Sequence, residues 1–179
     1  MKILSVLFAM LLCHSTVQAE ILSGKFELQK SKVNYLVTYL IKKADGDSVD
    51  SKGKGECNSN CEFLVAAPVK SFQSKDSNRD SNMLKYAKAD KFPLVVAKIS
   101  SKNEISNGVL VADLEIEFGG IKHIYKNVSF NAKISDGNLH VEGKLDLLLD
   151  QHQIEKPSLM GVQIKDIVPL TINADWKKI

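Results

Sequence analysis

Beyond residue 19, the side chains of this chain with chemistry to offer are three histidines, two closely spaced cysteines, an arginine–aspartate pair, several tyrosines and an alternating run of carboxylates. His123, His140 and His152 stand apart, and none forms a ligand-spaced pair of the His-Glu-x-x-His kind, so each reads as a surface or strand-end residue. There is no Gly-x-Ser-x-Gly elbow and no glycine-rich phosphate loop, and Ser158 in Pro157-Ser158-Leu159 lacks the small flanking residue an elbow needs. Asp113, Glu115 and Glu117 alternate along one strand and read as its solvated face. Asn127-Val128-Ser129 fits a glycosylation sequon, which matters only in a secretory pathway that uses it. The residues therefore predict no catalytic group, no metal centre and no cofactor.

Cys57 and Cys61 flank Asn58-Ser59-Asn60, which is turn chemistry. In an exported chain the first reading is a disulfide clamping a loop tip. The alternative is half of a metal site, against which stands the four-ligand demand of structural zinc. Tyr35 and Tyr39 share one strand face, where they either line a cavity and offer hydroxyls to a head group or pack as core. Arg79-Asp80 opens the one markedly polar, helix-like insert, "RDSNMLKYAKADKFP". It reads either as a latch fixing that insert to the fold or as a rim contact for an anionic ligand head, for which a guanidinium suits bidentate phosphate recognition.

The elements that must position these residues are mostly strands. "VNYLVTYLI" sets Val33, Tyr35, Val37 and Tyr39 on one face, and "VADLEIEF" sets Leu114, Ile116 and Phe118 opposite its carboxylates. "LDLLL" aligns Leu145, Leu147 and Leu149, and "PLTINADW" aligns Leu170, Ile172, Ala174 and Trp176. Turn signals separate them at Asp45-Gly46-Asp47, Asn107-Gly108, Gly119-Gly120 and Asp136-Gly137-Asn138. The stretch 43–55, rich in Asp, Ser, Lys and Gly, reads as the most loop-like part. Two segments break the alternation. Ser77 to Ala87 has an N-cap-like start and places Met83, Leu84 and Tyr86 at helical spacing, with Met83 and Leu84 expected to face inward. Ile154 to Val162 reads as a turn or short helix with Pro157 near its start. About eight strands with one apolar face each fit a barrel or a sandwich equally well on periodicity.

Residues 1–19 have the build of a secretory leader, with Lys2, a short apolar run from Ile3 to Leu12 and cleavage predicted after Ala19. The bulky Leu12 before Cys13 argues against a lipid anchor. Residues 20–179 then form one domain, with no later stretch that reads as a membrane span. The whole chain has 24 Lys+Arg against 21 Asp+Glu, scattered in both signs without a basic stripe, so nucleic-acid binding has no electrostatic footprint. The expected location is periplasmic or secreted.

Four pieces in chain order resemble the YceI-like family. Ser31-x-Val33-x-Tyr35-x-Val37-x-Tyr39-Leu40 is similar to its second strand. Arg79-Asp80-x-x-Met83-Leu84, followed by Ala89-Asp90-Lys91-Phe92-Pro93, resembles its Arg-Asp-x-His-Leu/Met and Lys-Tyr-Pro signature. Val109 to Phe118 with Gly119-Gly120-Ile121-Lys122 resembles its strand-turn-strand, and Ile154-x-x-Pro157-Ser158-Leu159-Met160-Gly161-Val162 with Lys165-Asp166-Ile167-Val168 matches a variant among its members. The chain departs from the pattern at Tyr39 and Asn82, where the family has histidine, at Ala97, where many members have phenylalanine, and in carrying Cys57 and Cys61.

The resemblance implies an exported, lipocalin-like antiparallel barrel of about eight strands with one or two short helical crossovers. It also implies an elongated apolar pocket for a polyisoprenoid or similar long-chain amphiphile, and no catalytic residues. The residues expected around that pocket are Val33, Tyr35, Val37, Tyr39, Met83, Leu84, Ala97, Leu114, Ile116, Phe118, Leu145, Leu147 and Ile172, with Arg79 at the rim. The rival expectation is a collapsed, ligand-free barrel acting through its outer surface in stress or partner binding. Neither reading sets the oligomeric state, a homodimer included.

Overall fold

The computed structural model describes residues 21–40, 42–159 and 161–179, so the leader predicted over residues 1–19 lies outside the described residues. Its strands, in chain order, are β1 (Gly24–Tyr39), β2 (Lys42–Ser48), β3 (Lys52–Cys57), β4 (Cys61–Pro68), β5 (Gln73–Ser74), β6 (Leu94–Ser101), β7 (Gly108–Phe118), β8 (Ile121–Ser135), β9 (Asn138–Leu148), β10 (Ser158–Leu159), β11 (Val162–Gln163) and β12 (Ile167–Lys178). One α-helix, α1 (Ser77–Tyr86), interrupts them between β5 and β6.

Neighbours follow the order β12-β9-β8-β7-β6-β4-β3-β1, and β1 pairs back onto β12. That last ladder, from Phe26↔Lys178 to Tyr35↔Leu170, closes an eight-stranded antiparallel barrel with no free edge in its wall. On its other side β1 pairs with β3 over Gly24–Glu27 and then with β2, from Val33↔Ser48 to Tyr39↔Lys42, which in turn carries β5. Two of the expected turns are tight: Gly119-Gly120 (φ 58° and 80°) joins β7 to β8, and Asp136-Gly137 (φ 53° and 73°) joins β8 to β9. Positive φ at both central residues matches the twist of the flanking strands. On the outer wall, β7 and β8 slip register at Ala112/Leu114. Asp113 pins this bulge, accepting from the Asn127 amide at 3.0 Å and from Lys126 Nζ at 2.8 Å. The Lys126 bond and then the Asn127 amide hold its carboxyl below the ordinary carboxylate range.

Three local expectations are corrected. The polar stretch 43–55 forms most of β2 and β3, and Asp45-Gly46-Asp47 within it is not a turn but mid-strand, paired with Asn34 to Leu36 of β1. Its glycines are the reason: a Cβ on Gly55 would fall inside the Phe63 ring, and one on Gly46 would meet the Tyr35 hydroxyl. A Cβ on Gly53 would lie 2.8 Å from the Trp176 ring. Bare backbone here lets large rings from neighbouring strands lie across it. Of the turn or short helix expected over Ile154 to Val162, the helix is corrected and the turn stands: a small β10–β11 hairpin, Ser158↔Gln163 and Leu159↔Val162, follows a single 3-10 turn at Asp150–His152. The cap of α1 is Asp76, one residue before the expected start, with Oδ1 accepting from the Asn78 and Arg79 amides at 3.0 Å each.

The two barrel ends are closed differently. At the β3–β4 end, Phe26 packs on Phe63 (6.1 Å between centroids) and Phe63 packs edge-on against Trp176 (4.8 Å). The Cys57–Cys61 disulfide joins the last residue of β3 to the first of β4, both buried beside those rings. The Leu22 amide donates to the Ile105 carbonyl at 2.9 Å, drawing two more buried apolar side chains over this floor. At the opposite end, between β8 and the turn after β9, lies His152, which is wholly buried and not at the surface as its isolation in the sequence suggests. Its Nδ1 donates to the Ile121 carbonyl at 3.0 Å, and its Nε2 accepts from the Tyr125 hydroxyl at 3.1 Å. Tyr125 accepts in turn from the Leu148 amide at 3.1 Å. A neutral imidazole satisfies this chain of bonds, and burial lowers the pKa of His152, favouring that form. His140, on the outer wall, has the opposite setting: Asp175 at 2.6 Å and Glu142 at 3.1 Å raise its pKa.

Two predictions follow from this packing. Gly55→Val puts a branched side chain where the Phe63 ring lies, and the overpacking lowers stability by about 1–3 kcal/mol in denaturant unfolding; an unchanged midpoint contradicts the ring-over-glycine packing. For His152, the unfolded chain takes up a proton below about pH 6.5 while the folded site resists it, so its contribution is complete above that pH and is lost as pH falls. His140 contributes in the other sense, fully below about pH 6.5 and less as pH rises through its raised folded pKa. Thermal melts between roughly pH 7.5 and 5.5 should therefore show a smaller loss on acidification for His152→Gln than for the parent, and a larger one for His140→Gln. Parallel pH profiles for His152→Gln and the parent would contradict the neutral buried imidazole.

Candidate functional site: an apolar bore with a polar mouth

The closed wall encloses a cavity of about 580 Å³, within the size range of small-molecule sites. It follows the strands for a considerable depth. On β12 the lining runs from Val168 to Trp176, about 26 Å along the chain at roughly 3.3 Å per residue. Phe63, Phe130 and Trp176 line its floor, and aliphatic residues line its walls. Several inward residues, among them Val37, Val65, Ala97, Leu170 and Ile172, are only partly buried although they face the barrel axis. Their accessible surface belongs to the interior. The small side chains Ala44, Ala67, Ala97 and Ala174 are what keep that interior from being filled.

The structure places most of the sequence-predicted residues on this lining. From β1 come Val33, Tyr35, Val37 and Tyr39, and from β6 comes Ala97. Strand β7 supplies Leu114, Ile116 and Phe118, strand β9 supplies Leu145 and Leu147, and Ile172 comes from β12. Met83 and Arg79 reach it from α1. Leu84 is corrected. The face of α1 turned to the cavity is Arg79, Asn82, Met83 and Tyr86, the i, i+3, i+4, i+7 set of one helical stripe. Leu84 lies off that stripe and lines an outer groove with Pro68, Lys85 and Leu94. Missed in the sequence were Phe63 and Val65 on β4, where the near-continuous apolar run hides the period of two, and Phe72 after it. Phe130 on β8 and Trp176 on β12 were missed as lining because a strand pattern gives the inward face but not the depth.

The only charged lining residues among those described are Asp76 and Arg79, and both stand at the mouth beside α1. Arg79 Nη2 lies 3.7 Å from Asp76 Oδ2, with both side chains partly exposed. Asp80 does not line the cavity: its Oδ1 accepts from the Ser74 amide at 2.9 Å, tying α1 to β5. Tyr35 sits inside the mouth with its ring 6.3 Å from that of Phe72. Burial first, then the carboxylate of Asp80, raises its pKa, so the phenol keeps its proton and can donate. Deeper in, Ser51 Oγ is buried on the lining without a hydrogen-bond partner. The arrangement offers apolar contact over most of its length and neutral hydrogen-bonding groups at one end. No three His, Cys, Asp or Glu side chains converge as a metal site among the described residues, and no helix of those residues is long and apolar enough to cross a membrane.

No family model and no curated protein matches this sequence. Solved structures do match in fold. A polyisoprenoid binding domain from Saccharophagus degradans implicated in plant cell wall breakdown superposes with a TM-score of 0.71 at 10% identity, covering 86% of this chain and 98% of that one. Burkholderia cenocepacia BcnA superposes with a TM-score of 0.64, also at 10% identity, over 81% of this chain and 95% of its own. The chain thus has the closed, eight-stranded, lipocalin-like barrel that its resemblance to the YceI-like family implies.

Proposed function

We propose that the protein is an exported carrier or sequestering protein for one long-chain apolar lipid, a polyisoprenoid or similar amphiphile, and that it does no covalent chemistry. The observation that carries this reading is the bore itself, an aliphatic and aromatic hollow of about 580 Å³ whose charged groups stand only at its mouth. Each methylene moved from water into such a lining contributes about 0.8 kcal/mol, so a modest tail suffices for micromolar affinity. The polyisoprenoid-binding domain with the same fold supports the ligand class. The Cys57–Cys61 disulfide supports an oxidising compartment, periplasmic or secreted.

Lipid extraction and native mass spectrometry of protein expressed with its leader test the reading. Co-purifying lipid, or stoichiometric uptake of a long-chain isoprenoid alcohol, is the expected result. A clean spectrum without uptake favours the ligand-free barrel acting through its surface. Ala97 gives a sharper test, since it lines the bore between Val65 on β4 and Ile116 on β7. Ala97→Trp, bulkier than the phenylalanine found here in the resembled family, should weaken lipid uptake at least about tenfold by filling the bore, a loss of roughly 1.4 kcal/mol. Unchanged uptake by an Ala97→Trp protein that circular dichroism shows to be folded argues for a ligand bound elsewhere.

A further inference from the structure

An anionic lipid head entering this mouth would look to two groups, the N-terminal amides of α1 and the Arg79 guanidinium. Helix N-termini bind phosphate through exposed amides, and guanidinium binds it through a planar fork of donors. Asp76 caps the amides and stands against the guanidinium. Its Oδ1 accepts from the Asn78 and Arg79 amides at 3.0 Å each, and its Oδ2 faces Arg79 Nη2 at 3.7 Å. A phosphate must displace this carboxylate to reach the amides, and beside Arg79 it meets a negative charge already in place. No other cation lines the cavity among the described residues. Three further carboxylates, on Asp80, Asp45 and Asp47, bear on the Tyr35 hydroxyl just inside, against the single positive charge of Arg79. Of these, Asp47 has a cation of its own in Lys32 at 3.9 Å.

The neutral groups are differently placed. The side-chain amides of Asn78 and Asn82 and the hydroxyls of Tyr35, Tyr39 and Tyr86 all line the cavity. None of these five side-chain groups has a hydrogen-bond partner among the described residues. They can donate to, or accept from, a head that brings no charge.

We propose that Asp76 is a specificity-determining residue that makes the mouth select lipids with an uncharged, hydrogen-bonding head, such as an alcohol, ketone or amide, over phosphate-headed lipids of the same tail. This rests on the carrier reading above and names the ligand class of the same site.

Quenching of Trp176, the single tryptophan and part of the cavity floor, reports tail entry without a label. The probes are geranylgeraniol and geranylgeranyl phosphate, titrated into the parent, Asp76→Asn and Asp76→Glu. Asn is itself a strong N-cap, so Asp76→Asn keeps α1 capped while releasing Arg79 from its carboxylate. The parent should bind the alcohol at least about tenfold more tightly than the phosphate, a gap of roughly 1.4 kcal/mol. Asp76→Asn should move the phosphate-to-alcohol affinity ratio about tenfold toward the phosphate, and Asp76→Glu should keep the parent's preference for the alcohol. Equal or tighter phosphate binding by the parent overturns the proposal and leaves the carrier reading standing. So does an affinity ratio that Asp76→Asn leaves where it was, with circular dichroism confirming the fold. Binding of neither probe to the parent overturns the carrier reading and this proposal together.

Discussion

Pairing of β1 with β12 is the contact on which the rest of this molecule depends, because it turns a sheet with two open edges into a wall around an interior. Eight strands set the width of that interior near the point where side chains can either fill it or leave room for one ligand. Here the inward positions include Ala44, Ala67, Ala97 and Ala174, so the wall closes before its own side chains meet across the axis. The result is a mainly apolar hollow that offers water few hydrogen-bonding partners along its walls and that a lipid tail can occupy with a gain in dispersion and hydrophobic contact. Aromatic rings need room as well, and they find it over glycine. Phe63 lies over Gly55, Tyr35 over Gly46 and Phe130 over Gly143. Packing of that kind sets the floor at one depth and the tyrosine-lined mouth at another.

The two ends of the barrel are built for different tasks. The floor is covalently and apolarly sealed, with Cys57–Cys61 bridging β3 to β4 beside Phe26 and Phe63. The other end is assembled from α1 on one side and the neutral His152–Tyr125 pair on the other. Asp76 and Asp80 hold α1 by its backbone and by β5, which turns Arg79, Asn82, Met83 and Tyr86 toward the bore. Charge is thereby confined to the rim, where water can still reach it, and the interior keeps the low polarity that tail burial requires.

Much of this was legible in the residues. Strict alternation in "VADLEIEF" and in the tyrosine-bearing "VNYLVTY" marks inward faces, since a period of two has only one way to bury an apolar side. The paired turn signals at Gly119-Gly120 and Asp136-Gly137 likewise announce their hairpins. Three features were hidden for physical reasons. Lys43 to Gly55 reads as loop because its strand character comes from Tyr35, Phe63 and Trp176 on other strands, which no local propensity reports. Met83 and Leu84 are adjacent apolar residues on one short helix, and only tertiary packing decides that Met83 rather than Leu84 falls on the stripe facing the bore. His152 looks solitary in the sequence, yet the Ile121 carbonyl and the Tyr125 hydroxyl, about thirty residues away, satisfy both of its ring nitrogens.

The central claim is that affinity comes from burying an apolar tail along a bore of finite depth. Calorimetric titration with straight-chain alcohols of increasing length measures this directly. Affinity should rise about fourfold per added methylene, the equivalent of about 0.8 kcal/mol, with a negative heat-capacity change, and should level off once the chain reaches Phe63, Phe130 and Trp176. Affinity that is flat with chain length, or that climbs without levelling, would contradict a bore with a floor.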